Sequence, residues 1–336
     1  MASTAYTVTD AHAKVHVIDL SLPDEEAQAA ILHACVTTGF FYVSNHNVLE
    51  EVIEEHWLQN KAFFNLPLED KLTIVADSNN RGYTPMAEQT LDPDHQSQGD
   101  TKEGKRYGLF HTGLYFGREV PADSEEAKLP LHGPNQWPPE ALLPGYKAAM
   151  NTYMDAVRNL ADRLLPLIAM ALRLPSNFFD LYFHKPIGTL RPLHYNAQMS
   201  LPDEGIYGAG AHTDWGVLTI LATDENPGLQ VFSGGKWAHV KPVPGTFIIN
   251  LGDMLERWTN GYFKSSLHRV VNHLGKERYS TAFFYEPNFF AKVECLPQCC
   301  KDKPAKFPPT TCGQYLLDKF AATHADYSGA VKVMEG

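Results

Sequence analysis

The chain has 336 residues, of which 44% are hydrophobic and 20% charged, and its formal net charge at pH 7 is −11. This composition is typical of a folded globular protein and excludes a largely disordered chain. A surface this acidic repels phosphate backbones, so we expect no nucleic-acid partner. The sequence has no apolar run of about 18 residues and no signal-peptide pattern, which favours a cytoplasmic protein without a membrane partner.

The N-terminal half is predicted to be mainly helical. A short strand at 15–21 precedes a helix that has an acidic first turn and ends at Gly39, and an aromatic strand follows. A second amphipathic helix ends at Pro67, and the turn-rich residues 76–136 are predicted to be loops. Pro166 should kink or split the longest helix. That helix carries a predicted core stripe of Tyr146, Met150, Tyr153, Val157, Leu160 and Leu164.

After residue 180 the pattern changes to short β-rich runs separated by turns. Strands at this spacing are typical of a sandwich or jelly roll, so we predict a mixed α and β fold. Residues 1–180 should form helices and edge strands, residues 181–295 the jelly-roll core, and residues 296–336 a C-terminal helix and tail. Since no tether-like linker separates these parts, they are expected to pack as one compact unit.

The segment "GAHTDWG" suggests a metal site. Residues i and i+2 of an extended strand point the same way, so His212 and Asp214 could bind one ion. A third ligand must come from elsewhere: His268 in "KSSLHRVVN" fits, while His239 and His273 also lie in β-like runs. Two histidines and one carboxylate with three open positions form the facial triad of non-haem Fe(II) oxygenases. A lone HxD is also common in surface loops.

A second motif, "RYS", begins ten residues after His268. On a strand, Arg278 and Ser280 share a face. A guanidinium matches a carboxylate through two hydrogen bonds, and a serine adds a third donor. A buried arginine must find an anion, because an unpaired buried charge is very costly. That anion could be an internal aspartate or glutamate, or a small dicarboxylate cosubstrate.

These motifs, in this order, resemble the core of the plant and fungal 2-oxoglutarate- and Fe(II)-dependent dioxygenases, which share the fold of isopenicillin N synthase. The matching segments include "LRPLHY", "GAHTDWGVLTIL" and "RYSTAFFYEPN", with "GFFYVSNH" and "RGYTP" in the N-terminal half. The resemblance covers residues 15–325 and implies a double-stranded β-helix core. It also implies an oxygenase that decarboxylates 2-oxoglutarate to succinate and CO2 while it hydroxylates a small metabolite, in secondary metabolism and as a monomer.

The resemblance assigns roles to the motif residues. His212, Asp214 and His268 match the iron ligands of the family, and hence its catalytic centre. Arg278 and Ser280 match the residues that bind the distal carboxylate of 2-oxoglutarate. The cofactors implied are Fe(II), 2-oxoglutarate as cosubstrate and O2, with ascorbate as a candidate reductant.

A family tyrosine that helps to hold the cosubstrate corresponds to Tyr195. Around it the sequence departs from the family pattern, with Leu193 in place of a frequent asparagine and Asn196 in place of the usual proline. These departures put the details of cosubstrate contact in doubt, not the ligand set. Asn47 stands where relatives often have glycine, and asparagine tolerates a left-handed backbone better than most residues.

The substrate pocket is predicted to use aromatic side chains, and each of them fits a core position equally well. The candidates are Tyr83, Tyr107, Phe110, Phe232 and Phe284. Nearby Lys105, Arg106 and His111 would suit a small, partly aromatic or acidic substrate.

Three alternatives stay open. The first is an ethylene-forming or other oxidase of the same fold. The second is a zinc hydrolase on the same three ligands, since zinc accepts two histidines and a carboxylate. The third is a binding protein on an inactive enzyme scaffold. The cysteines near the C-terminus lack the paired CxxC spacing of a zinc site, so reduced thiols are predicted there.

Overall fold

The computed structural model describes residues 15–85 and 110–323. Within them the helices are α1 (Asp24–Thr37), α2 (Glu50–Phe64), α3 (Leu68–Leu72), α4 (Tyr146–Ala171), α5 (Asp253–Trp258) and α6 (Cys312–Thr323). The strands of the same part are β1 (Val17–Asp19), β2 (Phe40–Ser44), β3 (Gly82–Thr84), β4 (His111–Gly117), β5 (Ile187–Tyr195), β6 (Ala209–His212), β7 (Leu218–Thr223), β8 (Leu229–Ser233), β9 (Lys236–His239), β10 (Phe247–Leu251), β11 (His268–Val270), β12 (Arg278–Glu286), β13 (Lys292–Val293) and β14 (Thr310–Thr311).

Two sheets form the β core. The larger has the order β1-β2-β10-β7-β12-β5-β4-β3, and the smaller has the order β6-β11-β8-β9. Every pair in both sheets is antiparallel except β1 with β2. Side chains alternate between the two faces of a strand, so each sheet turns one face inward. The predicted jelly-roll fold is confirmed, and the N-terminal strands extend its larger sheet.

Helix α4 packs against the larger sheet and against α1 and α2. The predicted stripe from Tyr146 to Leu164 is buried along the whole helix. Pro166 was predicted to kink or split this helix; it lies inside α4 without splitting it, and a kink there stays a prediction. Helix α1 ends as expected, because Gly39 has a φ of 65° and donates its N–H to the carbonyl of Ala34.

Two strands lie where loops were predicted. Gly82–Thr84 forms β3, and His111–Gly117 forms β4, whose residues are almost all buried. Both strands owe their conformation to pairing: β4 adds to the edge of β5, and β3 adds to β4. This tertiary contact overrides local propensity, which is a weaker determinant of strands than of helices. The polar segment 91–104, also predicted as a loop, lies outside the described residues.

Two further observations concern backbone and hydropathy. Asn47 has a φ of 62°, which is the left-handed conformation that its turn was predicted to require. None of the helices in residues 15–85 and 110–323 combines the length and the apolar character needed to cross a bilayer.

Candidate metal centre and active-site cavity

A cavity of about 150 Å³ lies between the inner faces of the two sheets. Alternation along β12 sends every second side chain into it, and the same holds for β5 beside it. From β12 the lining residues are Arg278, Ser280, Ala282, Phe284 and Glu286. From β5 they are Ile187, Thr189, Arg191, Leu193 and Tyr195. The smaller sheet and its loops supply the opposite wall.

Three of the predicted residues meet on that opposite wall. His212 ends β6 and His268 begins β11, and the two are register partners in the antiparallel pair. Asp214 follows two residues after His212, and its Oδ1 lies 3.8 Å from His212 Nε2 and 3.6 Å from His268 Nε2. The three ligand atoms lie within 4.8 Å of one another, and no other such group of three was found in the described part of the chain.

Backbone carbonyls fix the orientation of both imidazole rings. His212 Nδ1 lies 2.8 Å from the carbonyl of Gly210, and His268 Nδ1 lies 3.0 Å from that of Ser266. A carbonyl only accepts hydrogen bonds, so each Nδ1 carries the proton and each Nε2 can present a lone pair toward Asp214. Two imidazole nitrogens and one carboxylate oxygen therefore converge in the arrangement that binds Fe(II) in a facial triad.

The Asp214 carboxylate is held by two polar side chains that sequence reasoning missed. Its Oδ2 accepts hydrogen bonds from Thr219 Oγ1 at 2.6 Å and from Asn250 Nδ2 at 2.7 Å. These residues come from the neighbouring strands β7 and β10. Since both bonds use Oδ2, Oδ1 stays free to face the histidines. The contacts orient a ligand, as such outer partners do at metal sites.

Burial and mutual charge set the ionisation of the triad. Burial and, to a smaller extent, the neighbouring His268 together lower the pKa of His212 to about 4. Burial opposes the charge of Asp214, but His268, His212 and Asn250 together hold its pKa well below the ordinary range. Burial also works against a charged His268, yet the carboxylate raises the pKa of that ring. A buried carboxylate surrounded by imidazoles is a site that a divalent cation would stabilise.

The far side of the cavity carries an arginine with two unsatisfied nitrogens. Arg278 is 2% exposed, and the described residues offer no hydrogen-bond partner to its Nε or Nη1. The guanidinium lies 4.8 Å from the ring centroid of Tyr195, and Ser280 Oγ donates to the Tyr195 hydroxyl at 3.5 Å. A buried cation with unused donors is costly unless an anion binds there. The site therefore fits a carboxylate.

Leu193 and Asn196, the two departures from the family pattern, lie on either side of Tyr195. Leu193 lines the cavity and pairs in register with Ser280, so it places an apolar side chain beside the predicted cosubstrate residues. The backbone N–H of Asn196 donates to the carbonyl of Phe110. A proline at that position would lack this donor.

The five predicted substrate residues are scattered. Phe284 lines the cavity, whereas Tyr83 packs in the core against Phe63 at a ring-centroid distance of 5.9 Å. Phe110 packs in a buried cluster with Tyr195. Phe232 is 41% exposed, because the preceding residue of β8, Val231, points inward and Phe232 therefore points outward. Tyr107, like Lys105 and Arg106, lies outside the described residues.

His111 lines the cavity as a neutral side chain. Its Nδ1 lies 2.6 Å from the carbonyl of Gly208, and burial lowers its pKa to about 3. It therefore adds no positive charge for an acidic substrate. Arg191 supplies such a positive charge. It lines the cavity, and its guanidinium lies 4.6 Å from the ring centroid of Tyr115.

The histidines and cysteines that were considered as alternative ligands lie elsewhere. His239 Nε2 and His273 Nε2 lie 3.3 Å and 3.5 Å from the side-chain amide nitrogen of Gln230, away from His212. All five cysteines are free, and the only metal-binding group found within the described residues contains none of them.

Comparisons with known proteins agree with this geometry. Residues 190–287 match the 2OG-Fe(II) oxygenase superfamily, and residues 15–140 match the family described as non-haem dioxygenase in morphine synthesis N-terminal. Azadirone synthase LFS from Melia azedarach is 38% identical over 322 residues, which cover 93% of each protein. The 2-oxoglutarate-Fe(II) type oxidoreductase hxnY from Emericella nidulans is 38% identical and covers 84% of this chain and 80% of its own.

Solved structures show the same fold. Full-length Neurospora crassa T7H, in complex with alpha-KG and thymine, superposes with a TM-score of 0.78 and is 29% identical, covering 92% of this chain and 96% of its own. Curated relatives above 30% identity match nearly the whole chain. The protein works with Fe(II), 2-oxoglutarate and O2, as these relatives and the His-Asp-His group indicate. The chain belongs to the 2OG-Fe(II) oxygenase superfamily and is a 2-oxoglutarate-dependent dioxygenase that oxidises a small molecule.

Proposed function

We propose that His212, Asp214 and His268 hold the Fe(II) of this dioxygenase and that Arg278 and Ser280 bind the distal carboxylate of 2-oxoglutarate, beside Tyr195. The observation that carries the proposal is the convergence of two Nε2 atoms and one carboxylate oxygen across the cavity from an arginine with unused donors. A zinc hydrolase would have no use for that arginine. An ethylene-forming reaction is not favoured, because the relatives at 38% identity are named for other activities.

With Fe(II), 2-oxoglutarate and O2 bound, the site would supply oxidative decarboxylation to succinate and CO2, coupled to oxidation of the substrate. The residues of this chain position the reactants. Arg278 anchors one end of the cosubstrate, while Thr219 and Asn250 keep Asp214 oriented. Apolar side chains, Phe284 among them, exclude water from the cavity, which strengthens its electrostatic interactions.

The substrate proposed is a small metabolite that is hydroxylated at a C–H bond, with Phe284 as a contact. The relative named azadirone synthase and the thymine complex of T7H support a small organic substrate, and a role in secondary metabolism is part of this proposal. The five free cysteines suit a reducing, cytoplasmic setting.

The test is a titration of Fe(II) and then 2-oxoglutarate without oxygen, followed by the visible band that the pair produces. His212→Ala should lose both the band and succinate formation, because one of three ligands is gone. Arg278→Ala should keep iron binding but require about 100-fold more 2-oxoglutarate, because a paired, charge-assisted contact is lost.

His33→Ala, which changes an exposed histidine, is the control and should behave as wild type. Succinate formation by His212→Ala, or an unchanged 2-oxoglutarate requirement in Arg278→Ala, would contradict the assignments. Hydrolysis supported by zinc, together with no visible band in the wild type, would favour the hydrolase instead.

A further inference from the structure

Two buried charged side chains line the cavity in addition to the residues assigned above. Glu286 ends β12 on the same face as Phe284 and is 5% exposed. Arg81 directly precedes β3 and is 4% exposed. Both belong to the cavity wall. Neither is assigned above to iron or 2-oxoglutarate. The guanidinium and the carboxylate attract each other, but burying both groups remains expensive unless their polar atoms are also satisfied.

The polar atoms of the two side chains are only partly satisfied. Arg81 Nη2 donates to the carbonyl of Leu131 at 2.7 Å and Nη1 donates to that of Asn80 at 3.5 Å, but Nε has no partner among the described residues. Glu286 Oε2 likewise has none within the described part of the chain. Buried polar groups nearly always have hydrogen-bond partners, so these orphaned atoms indicate a missing ligand or water.

The surrounding backbone makes room for both groups. A Cβ at Gly117 would lie 2.0 Å from Arg81 Nη2, and a Cβ at Gly216 would lie 2.9 Å from Glu286 Cγ. Any larger residue at either position would displace the charged side chain. Gly216 is two residues beyond the proposed iron ligand Asp214, which brings Glu286 close to the reacting part of the cavity.

The charges of this pair select the kind of group that can bind. Burial lowers the pKa of Arg81 to about 10, so the guanidinium remains a cation at neutral pH. Burial raises the pKa of Glu286 well above its ordinary value, and the Asp214 carboxylate raises it further. An amine would be repelled by Arg81, and a second carboxylate by Asp214. A neutral group with a donor and an acceptor suits both side chains.

Aromatic side chains in the same cavity add a constraint on shape. Phe284 precedes Glu286 by two residues on the lining face of β12, and Trp215 and Phe320 also line the cavity with their ring centroids 5.0 Å apart. Such rings pack best against flat, apolar faces. The polar edge of a planar ring could reach Arg81 and Glu286 while its faces contact these side chains.

We infer that Arg81 and Glu286 bind the amide edge of a planar, neutral substrate, in which a ring C=O accepts from Arg81 and the adjacent N–H donates to Glu286. The inference rests on the proposed function of the cavity and names its substrate class: lactams and related cyclic amides. It makes Glu286 a specificity-determining residue.

The test uses enzyme loaded with Fe(II) and 2-oxoglutarate under anaerobic conditions, titrated calorimetrically with 2-pyridone and with N-methyl-2-pyridone. Wild type should bind 2-pyridone about tenfold more tightly, because the N-methyl probe leaves a buried carboxyl oxygen without its donor. Glu286→Met, of similar shape, should bind both probes equally. Glu286→Gln keeps a carbonyl acceptor and should retain part of the preference.

Glu225→Gln, on an exposed loop, is the matched control and should keep the full preference. Equal or undetectable binding of the two probes by wild type overturns the inference, as does an unchanged preference in a folded Glu286→Met. Titration with 2-oxoglutarate alone distinguishes a failure of the proposed function from a failure of the amide inference. If 2-oxoglutarate fails to bind, the proposed function fails; if it binds normally and the probes do not differ, only the amide inference fails.

Discussion

Asp214 depends on two neutral side chains for its orientation. Thr219 and Asn250 donate to one carboxylate oxygen and leave the other to face His212 and His268. All of these groups are largely buried, so water cannot easily replace a lost donor. We therefore expect the metal affinity of the proposed site to depend on residues that are not ligands themselves.

Replacing either donor should weaken Fe(II) binding without abolishing it. For Thr219→Val and Asn250→Leu we expect Fe(II) affinity to fall by about 10- to 100-fold, because the carboxylate can rotate away from the histidines. The measurement is an anaerobic Fe(II) titration at saturating 2-oxoglutarate. Thr246→Val, whose hydroxyl donates to a backbone carbonyl outside the cavity, should show wild-type affinity. Equal affinities in all three variants would remove the two donors from this role.

The motif residues were predictable because strand geometry is simple. The i, i+2 spacing is enough to put Arg278 and Ser280 on one face of β12. Asp214 lies two residues beyond the end of β6, and its carboxylate still faces His212. The supporting residues were missed because hydrogen bonds between distant strands leave no spacing in the sequence. One signal was available: Asn250 is a single amide within the apolar run "FIINL". A buried amide needs a polar partner.

Successive side chains of strand β12 point alternately to the hydrophobic core and to the cavity. Phe283 and Tyr285 belong to the hydrophobic core, whereas Phe284 and Glu286 line the cavity. The Tyr285 hydroxyl donates to Asp162 of α4. Burial raises the pKa of Tyr285, and the hydrogen bond to Asp162 raises it further. One face of the strand thus supports the fold while the other serves the chemistry.

This division predicts that Tyr285→Phe affects stability alone. Loss of a hydrogen bond to a charged acceptor should lower the free energy of unfolding by about 2 kcal/mol. Binding of 2-oxoglutarate should not change, since the residue faces away from the cavity. Denaturant unfolding and the anaerobic titration measure the two quantities. Ser280→Ala, five residues earlier on the opposite face, should show the converse pattern. A weaker cosubstrate affinity in Tyr285→Phe would contradict the division.

Helices were easier to predict than strands. The stripe that begins at Tyr146 repeats at helical spacing over many turns, so its burial follows from sequence alone. Strand β4 carries no such signal, because its residues "HTGLYFG" are buried on both faces and interrupted by glycine. Only the edge of β5 makes it a strand. Pro166 was predicted to kink or split α4, and helix packing against the sheet keeps α4 continuous across it.

At the scale of the whole molecule, the larger sheet joins both halves of the chain. Strands β1 and β2 extend one edge beside β10, and β3 and β4 extend the other beside β5. The division into segments at residues 180 and 295 stays a prediction. The shared sheet nevertheless implies that truncation within the N-terminal half would expose edges of the jelly roll.

The contact between α2 and α4 holds a histidine that must stay neutral. His56 is fully buried, stacks on Tyr153 at a ring-centroid distance of 3.7 Å, and has no hydrogen-bond partner for either nitrogen among the described residues. Burial lowers its pKa to about 3. The unfolded chain protonates this side chain near pH 6.5, at about the ordinary value. Between these two pH values the unfolded state binds more protons, so the free energy of unfolding falls as pH falls.

At about pH 4.5, two units below the unfolded pKa, His56 should cost the protein roughly 3 kcal/mol of stability relative to neutral pH. His56→Phe keeps a ring against Tyr153 but cannot bind a proton, so it should lose that part of the acid sensitivity. Denaturant unfolding of wild type and His56→Phe at neutral pH and at the acidic pH named above measures the difference. His33→Phe, at an exposed position, should keep the wild-type dependence. An equal loss of stability on acidification in wild type and His56→Phe would mean that other buried groups, such as His111, determine the acid limit.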